Sequence, residues 1–124
     1  MDLTSLAVSE SSKLTIKHPM TNDKTDIVIE LYGKDSDAYK KAYSKLVKSV
    51  IDRTASKTKL NEADLDAEMY TACTKSWVNV ELDGKTLKCT PKNVRLVYSD
   101  KRLRWMHEQV VTFIGERENF MQPS

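Results

Sequence analysis

The chain is poor in the residues that would staple it, break it or carry it through a membrane. Among 124 residues there are two cysteines, two histidines, three glycines and three prolines. Cys73 and Cys89 stand alone, without Cys-x-x-Cys spacing, and read as reduced thiols of a cytosolic protein rather than a disulfide framework. So little Gly and Pro excludes a low-complexity or loop-dominated chain. The glycines are too scattered to cradle a phosphate, so no nucleotide hydrolysis is expected. His18 and His107 form no His-x-x-x-His or His-Glu-x-x-His pair, and neither a metal nor another cofactor is expected. Apolar runs are a few residues long, far below the ~20 of a membrane helix. The opening stretch, Met1 to Glu10, is polar and acidic and does not read as a secretory signal. Twenty basic residues against 18 acidic ones leave a net charge of +2. That is too small to imply a nucleic-acid or membrane partner without a localised patch.

What is present is hydrophobic periodicity that switches along the chain. Residues 1–12, rich in Ser, Thr and small residues, are predicted to be a flexible arm. Leu14 and Ile16, then Ile27, Ile29 and Leu31, alternate with polar residues on either side of Thr21-Asn22-Asp23-Lys24, the pattern of a β-hairpin closed at Gly33. Residues 36–53 are predicted to be a helix. Ser36 is its N-cap, and Tyr39, Tyr43, Leu46, Val47, Val50 and Ile51 lie on one face. After a polar linker at 55–59, a second helix is expected over 61–77, with Asn61 as cap. Glu62, Asp64 and Asp66 load its first turns, and Leu65, Met69, Ala72, Cys73 and Trp77 form its apolar stripe. Val78, Val80 and Leu82 then alternate up to Asp83-Gly84, a pair suited to a two-residue turn with positive φ. Thr90-Pro91 starts a short helix over 91–98. A last helix over 100–117 carries Leu103, Met106, Val110, Phe113 and Ile114, and residues 121–124 form a polar tail. The fold class expected is therefore α+β, mainly α. An N-terminal hairpin is followed by about four helices, with a short hairpin or loop between the second and third, in one globular domain over 13–120.

Catalytic groups are sparse. Cys73 and His107 are conceivable as nucleophile and base, but a cysteine on a helix's apolar stripe behaves as a small hydrophobe. Asp64, Asp66 and Glu68 are explained by the helix dipole and a solvated face. The reading is a non-enzymatic binding domain. Lys41, Lys45 and Lys48 share one stripe and keep a small nucleic-acid-binding regulator open as an alternative. Tyr39 and Tyr43 on the first helix, and Trp105, Phe113 and Phe120 near the end, are the candidate partner-binding residues, because these apolar stripes are broad for so small a domain.

Several segments carry a resemblance to a known family: Trp77 to Lys85, Cys89-Thr90-Pro91-Lys92-Asn93, Trp105 to Val110, and Arg117-Glu118-Asn119-Phe120, with His18-Pro19 and Thr21 in the hairpin and Tyr39 on a helix. Together they resemble the tail assembly chaperones of long-tailed double-stranded-DNA bacteriophages, over most of residues 13–120. The resemblance implies an ATP-independent protein that keeps the tape measure protein soluble until the tail tube protein polymerises around it. It implies residence in the host cytoplasm, absence from the mature virion, and a ribosomal frameshift that extends some copies to recruit the tube protein. Self-association stays open, as does a role as a small structural or tail-associated phage subunit.

Overall fold

The computed structural model describes residues 1–56 and 62–121, and for Glu62 and Ala63 the backbone only. Among the described residues it is a mixed α+β structure of four α-helices and five strands in two antiparallel sheets. The expected cap at Asn61, most of the expected linker and the end of the polar tail lie outside the described residues.

Strands β1 (Ser11–Lys17) and β2 (Lys24–Tyr32) form the predicted hairpin, with Leu14 opposite Ile29 and Thr15 opposite Val28. His18 holds the connection: its Nδ1 accepts the backbone N–H groups of Met20 and Thr21 at 3.1 and 3.4 Å. Asn22 takes φ 62°, a left-handed angle that Asn tolerates. Ser11 and Ser12, expected in a flexible arm, are the first residues of β1. The residues before them are also tied down. Ser9 N–H donates to the Phe120 carbonyl at 2.6 Å, and Val8 bridges to Met121.

Helix α1 (Asp37–Ala55) begins as its sequence dictates, with the buried Ser36 hydroxyl accepting the Tyr39 N–H at 3.1 Å and donating to the Gly33 carbonyl at 2.7 Å. Helix α2 (Glu62–Ala72) is shorter than expected. The chain leaves it at Cys73 and becomes a strand, β3 (Thr74–Val78), that pairs with β2 and completes a β1-β2-β3 sheet. Trp77, expected on a helix, therefore sits opposite Ile29 in the sheet, buried, with its indole N–H donating to the Leu87 carbonyl at 2.9 Å. A helix here would have left β2 without its second neighbour, and the β-branched and aromatic run Thr74, Trp77, Val78 suits a pleated surface better. Asp83 and Gly84, at φ 52° and 79°, form the predicted positive-φ turn between β4 (Glu81–Leu82) and β5 (Lys85–Thr86).

Helix α3 (Pro91–Ser99) has the predicted Thr90 cap, accepting the Asn93 N–H, and Pro91 in its first turn. The single helix expected over 100–117 is divided in three. A 3₁₀ turn at Lys101–Leu103 leads into α4 (Arg104–Gly115), and a second 3₁₀ turn follows at Arg117–Phe120. The first break falls at Leu103, whose backbone (φ −112°, ψ 15°) is not helical, and Asp100 caps the 3₁₀ turn before it, its carboxylate accepting the Arg102 N–H at 2.9 Å. The core lies where the sheet meets the helices: Ile16, Ile29 and Leu31 from the sheet, Met69 from α2, Val94 and Val97 from α3, and Met106, Val110 and Ile114 from α4.

Gly33 is required by the packing. A Cβ there would stand 2.8 Å from the ring of Phe120, which is itself buried. Gly33→Ala is expected to cost about 1–3 kcal/mol, as overpacked cores do. The check is a urea midpoint lowered at unchanged slope, and an unchanged midpoint would mean the ring is free to shift.

Candidate functional site

Two open surfaces carry the candidate residues. The first is on α1. Residues four apart stack along a helix, so Tyr39, Tyr43, Val47 and Ile51 form one row. Tyr39 is half-buried, and the tyrosine rings lie 6.5 Å apart and nearly parallel, 8° between planes. The other three are exposed: Tyr43 by 53%, Val47 by 39% and Ile51 by 61%. With Ser44 and Lys48 they line a shallow groove of about 420 Å³. The helix turns its other side, with Ala42 and Leu46, towards Leu65 and Met69 of α2. Between them runs a groove of about 440 Å³, rimmed by Lys45, Glu68 and Arg95.

The second surface runs between β1 and α4, a shallow groove of about 540 Å³ walled by Leu14, Trp105 and Phe113. Gln109 bolts the two elements together. Its side-chain amide accepts the Lys17 N–H at 2.9 Å and donates to the Lys17 carbonyl at 2.8 Å. This satisfies backbone groups that an edge strand would otherwise expose to another chain. Trp105 and Phe113 are half-buried walls of that groove.

Phe120 is not part of either surface. It is 2% exposed, under Gly33 and edge-on to Phe113 with ring centroids 5.3 Å apart. Its apolar character closes the core, so its expected partner-binding role is corrected to a packing role. The five candidates thus divide into an α1 pair, an α4 pair and one core residue. Val47 and Ile51, expected on the same apolar face as Tyr39 and Tyr43 but not among the candidate partner-binding residues, belong to the exposed row. The signal was available: from Leu46 to Ile51 the apolar arc is about 140° wide at 100° per residue, and one neighbouring helix covers only part of that.

Cys73 and His107 are each enclosed in the packed interior. Cys73 is fully buried, and burial pushes its thiol up to about 12, away from the thiolate that nucleophilic attack needs. His107 uses Nε2 to donate to Asp66 Oδ2 at 2.9 Å and is enclosed by the rings of Tyr70 and Tyr98, at 5.4 and 5.1 Å. Its Nδ1 is buried and has no hydrogen-bond partner among the described residues. Among the described residues no three His, Cys, Asp or Glu side chains gather as a metal site would need, and no helix is long and apolar enough to cross a membrane. Lys41, Lys45 and Lys48 are all exposed.

No family model matches the chain, and no curated protein or solved structure matches it either. Of the side chains on these two surfaces, the large apolar ones that stand exposed are Tyr43, Val47 and Ile51 of α1.

Proposed function

We propose that this chain is a non-enzymatic, ATP-independent assembly chaperone of the phage-tail type. Its client is the tape measure protein, a long and largely helical chain that would aggregate before the tail tube forms around it. The observation that supports this reading is the exposed apolar row on α1, Tyr43, Val47 and Ile51. Contiguous exposed apolar side chains on a small protein mark an interaction surface, and a row at helical spacing is the shape that receives another helix. A shallow surface also suits a chaperone. It makes many modest contacts and can release its client when polymerising tube subunits compete for the same stripe. On this reading the protein acts in the host cytoplasm and leaves before the virion is complete, and a frameshift-extended form would bring in the tube protein.

The test is co-expression with the tape measure protein of the same phage. The expected result is a soluble long chain that co-purifies with this one, and finished virions that lack it. An insoluble client with nothing co-eluting would overturn the reading. Retention in purified virions would favour the structural-subunit alternative, and steeply salt-dependent duplex binding would favour a regulator acting through the lysines of α1.

A further inference from the structure

Beside the apolar row of α1 runs a second row, Lys40, Ser44, Lys48 and Asp52, and beside that a third, Asp37, Lys41, Lys45 and Ser49. All four lysines are exposed, and among the described residues none of them is in an ion pair. α1 as a whole carries five basic residues against two acidic ones. The apolar row is therefore bordered on its open side by a net excess of positive charge. From Tyr43 to Ile51 it runs about 12 Å at 1.5 Å per residue, a little over two helical turns.

We propose that this face of α1 receives one amphipathic helix whose apolar stripe is bordered by Asp and Glu. The apolar row supplies burial, and the lysines set partner choice and orientation, as flanking charges do between paired helices. A second copy of this chain is the less favoured occupant, because each α1 carries the same excess of basic residues, five against two. Duplex DNA is also disfavoured, since it would leave Val47 and Ile51 facing a charged backbone with no apolar surface to cover them. The inference rests on the helix-binding reading above and adds the chemistry of the segment bound.

The experiment uses the full chain and two fluorescein-labelled helical peptides of about 18 residues. Both carry the same leucine stripe, one flanked by Glu and the other by Lys. In anisotropy titrations the Glu-flanked peptide is expected to bind about tenfold or more tightly than its Lys-flanked twin. Val47→Lys with Ile51→Lys should weaken it by about tenfold or more, because both positions face solvent and their replacement leaves the core intact. Lys40→Glu with Lys48→Glu should exchange the preference between the peptides, which a change in fold alone would not do. Thr112→Lys, in the β1–α4 groove, should leave binding unchanged. Urea midpoints confirm that each variant is folded.

The proposal is overturned if neither peptide binds, if both bind equally, or if the double-lysine variant binds like the wild type. It is also overturned if a duplex of about 20 base pairs binds through these lysines while the peptides do not, or if the double-lysine change abolishes a dimer of this chain. The two levels separate cleanly. A double-lysine variant that still keeps the co-expressed client soluble rejects this surface and leaves the chaperone reading standing. A wild-type chain that fails to do so rejects the chaperone reading itself.

Discussion

Phe120→Ala is expected to lower stability by about 3–5 kcal/mol, the range for truncating a buried phenylalanine. Few side chains here are as enclosed, at 2% exposure. The ring fills the space that Gly33 leaves open and meets Phe113 edge-on. Three stretches distant in sequence converge around it. The Phe120 carbonyl accepts the Ser9 N–H, the Gly33 N–H donates to the Glu10 carbonyl, and Arg117 clasps Asp35 with two hydrogen bonds of 2.6 and 3.1 Å. The Arg117–Asp35 pair is too exposed to hold this seam by itself, so the ring carries it. Removing the ring leaves a cavity between the chain's two ends, and backbone that cannot move far enough to fill it. The measurement is the urea midpoint, together with amide exchange at Ser9. The exchange rate should rise well before global unfolding if the seam opens locally. A residue that served mainly to bind a partner would show the reverse: unchanged stability and lost binding. That outcome would restore Phe120 to the interface.

How much of this was legible in the sequence depended on whether a local rule was unopposed. The Ser36 and Thr90 caps, the Asp83-Gly84 turn and the hairpin around Asn22 were readable because side-chain chemistry near the backbone decides them. The end of α2 was not. Met69, Cys73 and Trp77 are four residues apart, and that spacing falls on one face of a helix and equally on one face of a strand. The apolar pattern could not distinguish the two. What decides it is β2, which lacks a second partner until Thr74–Val78 pairs with it, a long-range fact that no window of residues contains. The functional surface was half legible for a related reason. The row from Tyr39 to Ile51 announces a helix with too much apolar surface, and only the positions of α2 and α3 tell which part is covered. Ala42 and Leu46 are, while Tyr43, Val47 and Ile51 are not. Phe120 shows the converse, an aromatic in a polar stretch that reads as exposed and is instead drawn into the core by Gly33, a glycine far away in sequence.

The second large effect expected is a loss of stability at alkaline pH. Cys73 is fully buried beside the sheet, and burial pushes its thiol from an ordinary value of 9.0 up to about 12. Tyr70 is pushed to about 12, first by burial and then by the neighbouring Tyr39 and Asp66. Burial raises Tyr98 as well, and the hydrogen bond to Thr74 only partly opposes it. In each case folding favours the protonated form. Below about pH 9 both states keep these protons, and the stabilisation is fully present. Above it the unfolded chain releases protons that the folded chain retains, so stability falls as pH rises and this contribution is gone once pH passes about 12. Cys73 alone corresponds to roughly 4 kcal/mol across that window, a large part of the 5–15 kcal/mol typical of a whole domain. Urea midpoints should therefore be level from about pH 7 to 9 and then drop steeply to about pH 11. Phenolate absorbance should jump as Tyr70 and Tyr98 ionise together with unfolding. Cys73→Ala separates the contributions: it begins less stable, because it leaves a small cavity, but it should lose less on going alkaline. A midpoint that stayed level to about pH 11 would mean that these groups reach water without unfolding, and the packing described around Cys73 would be wrong.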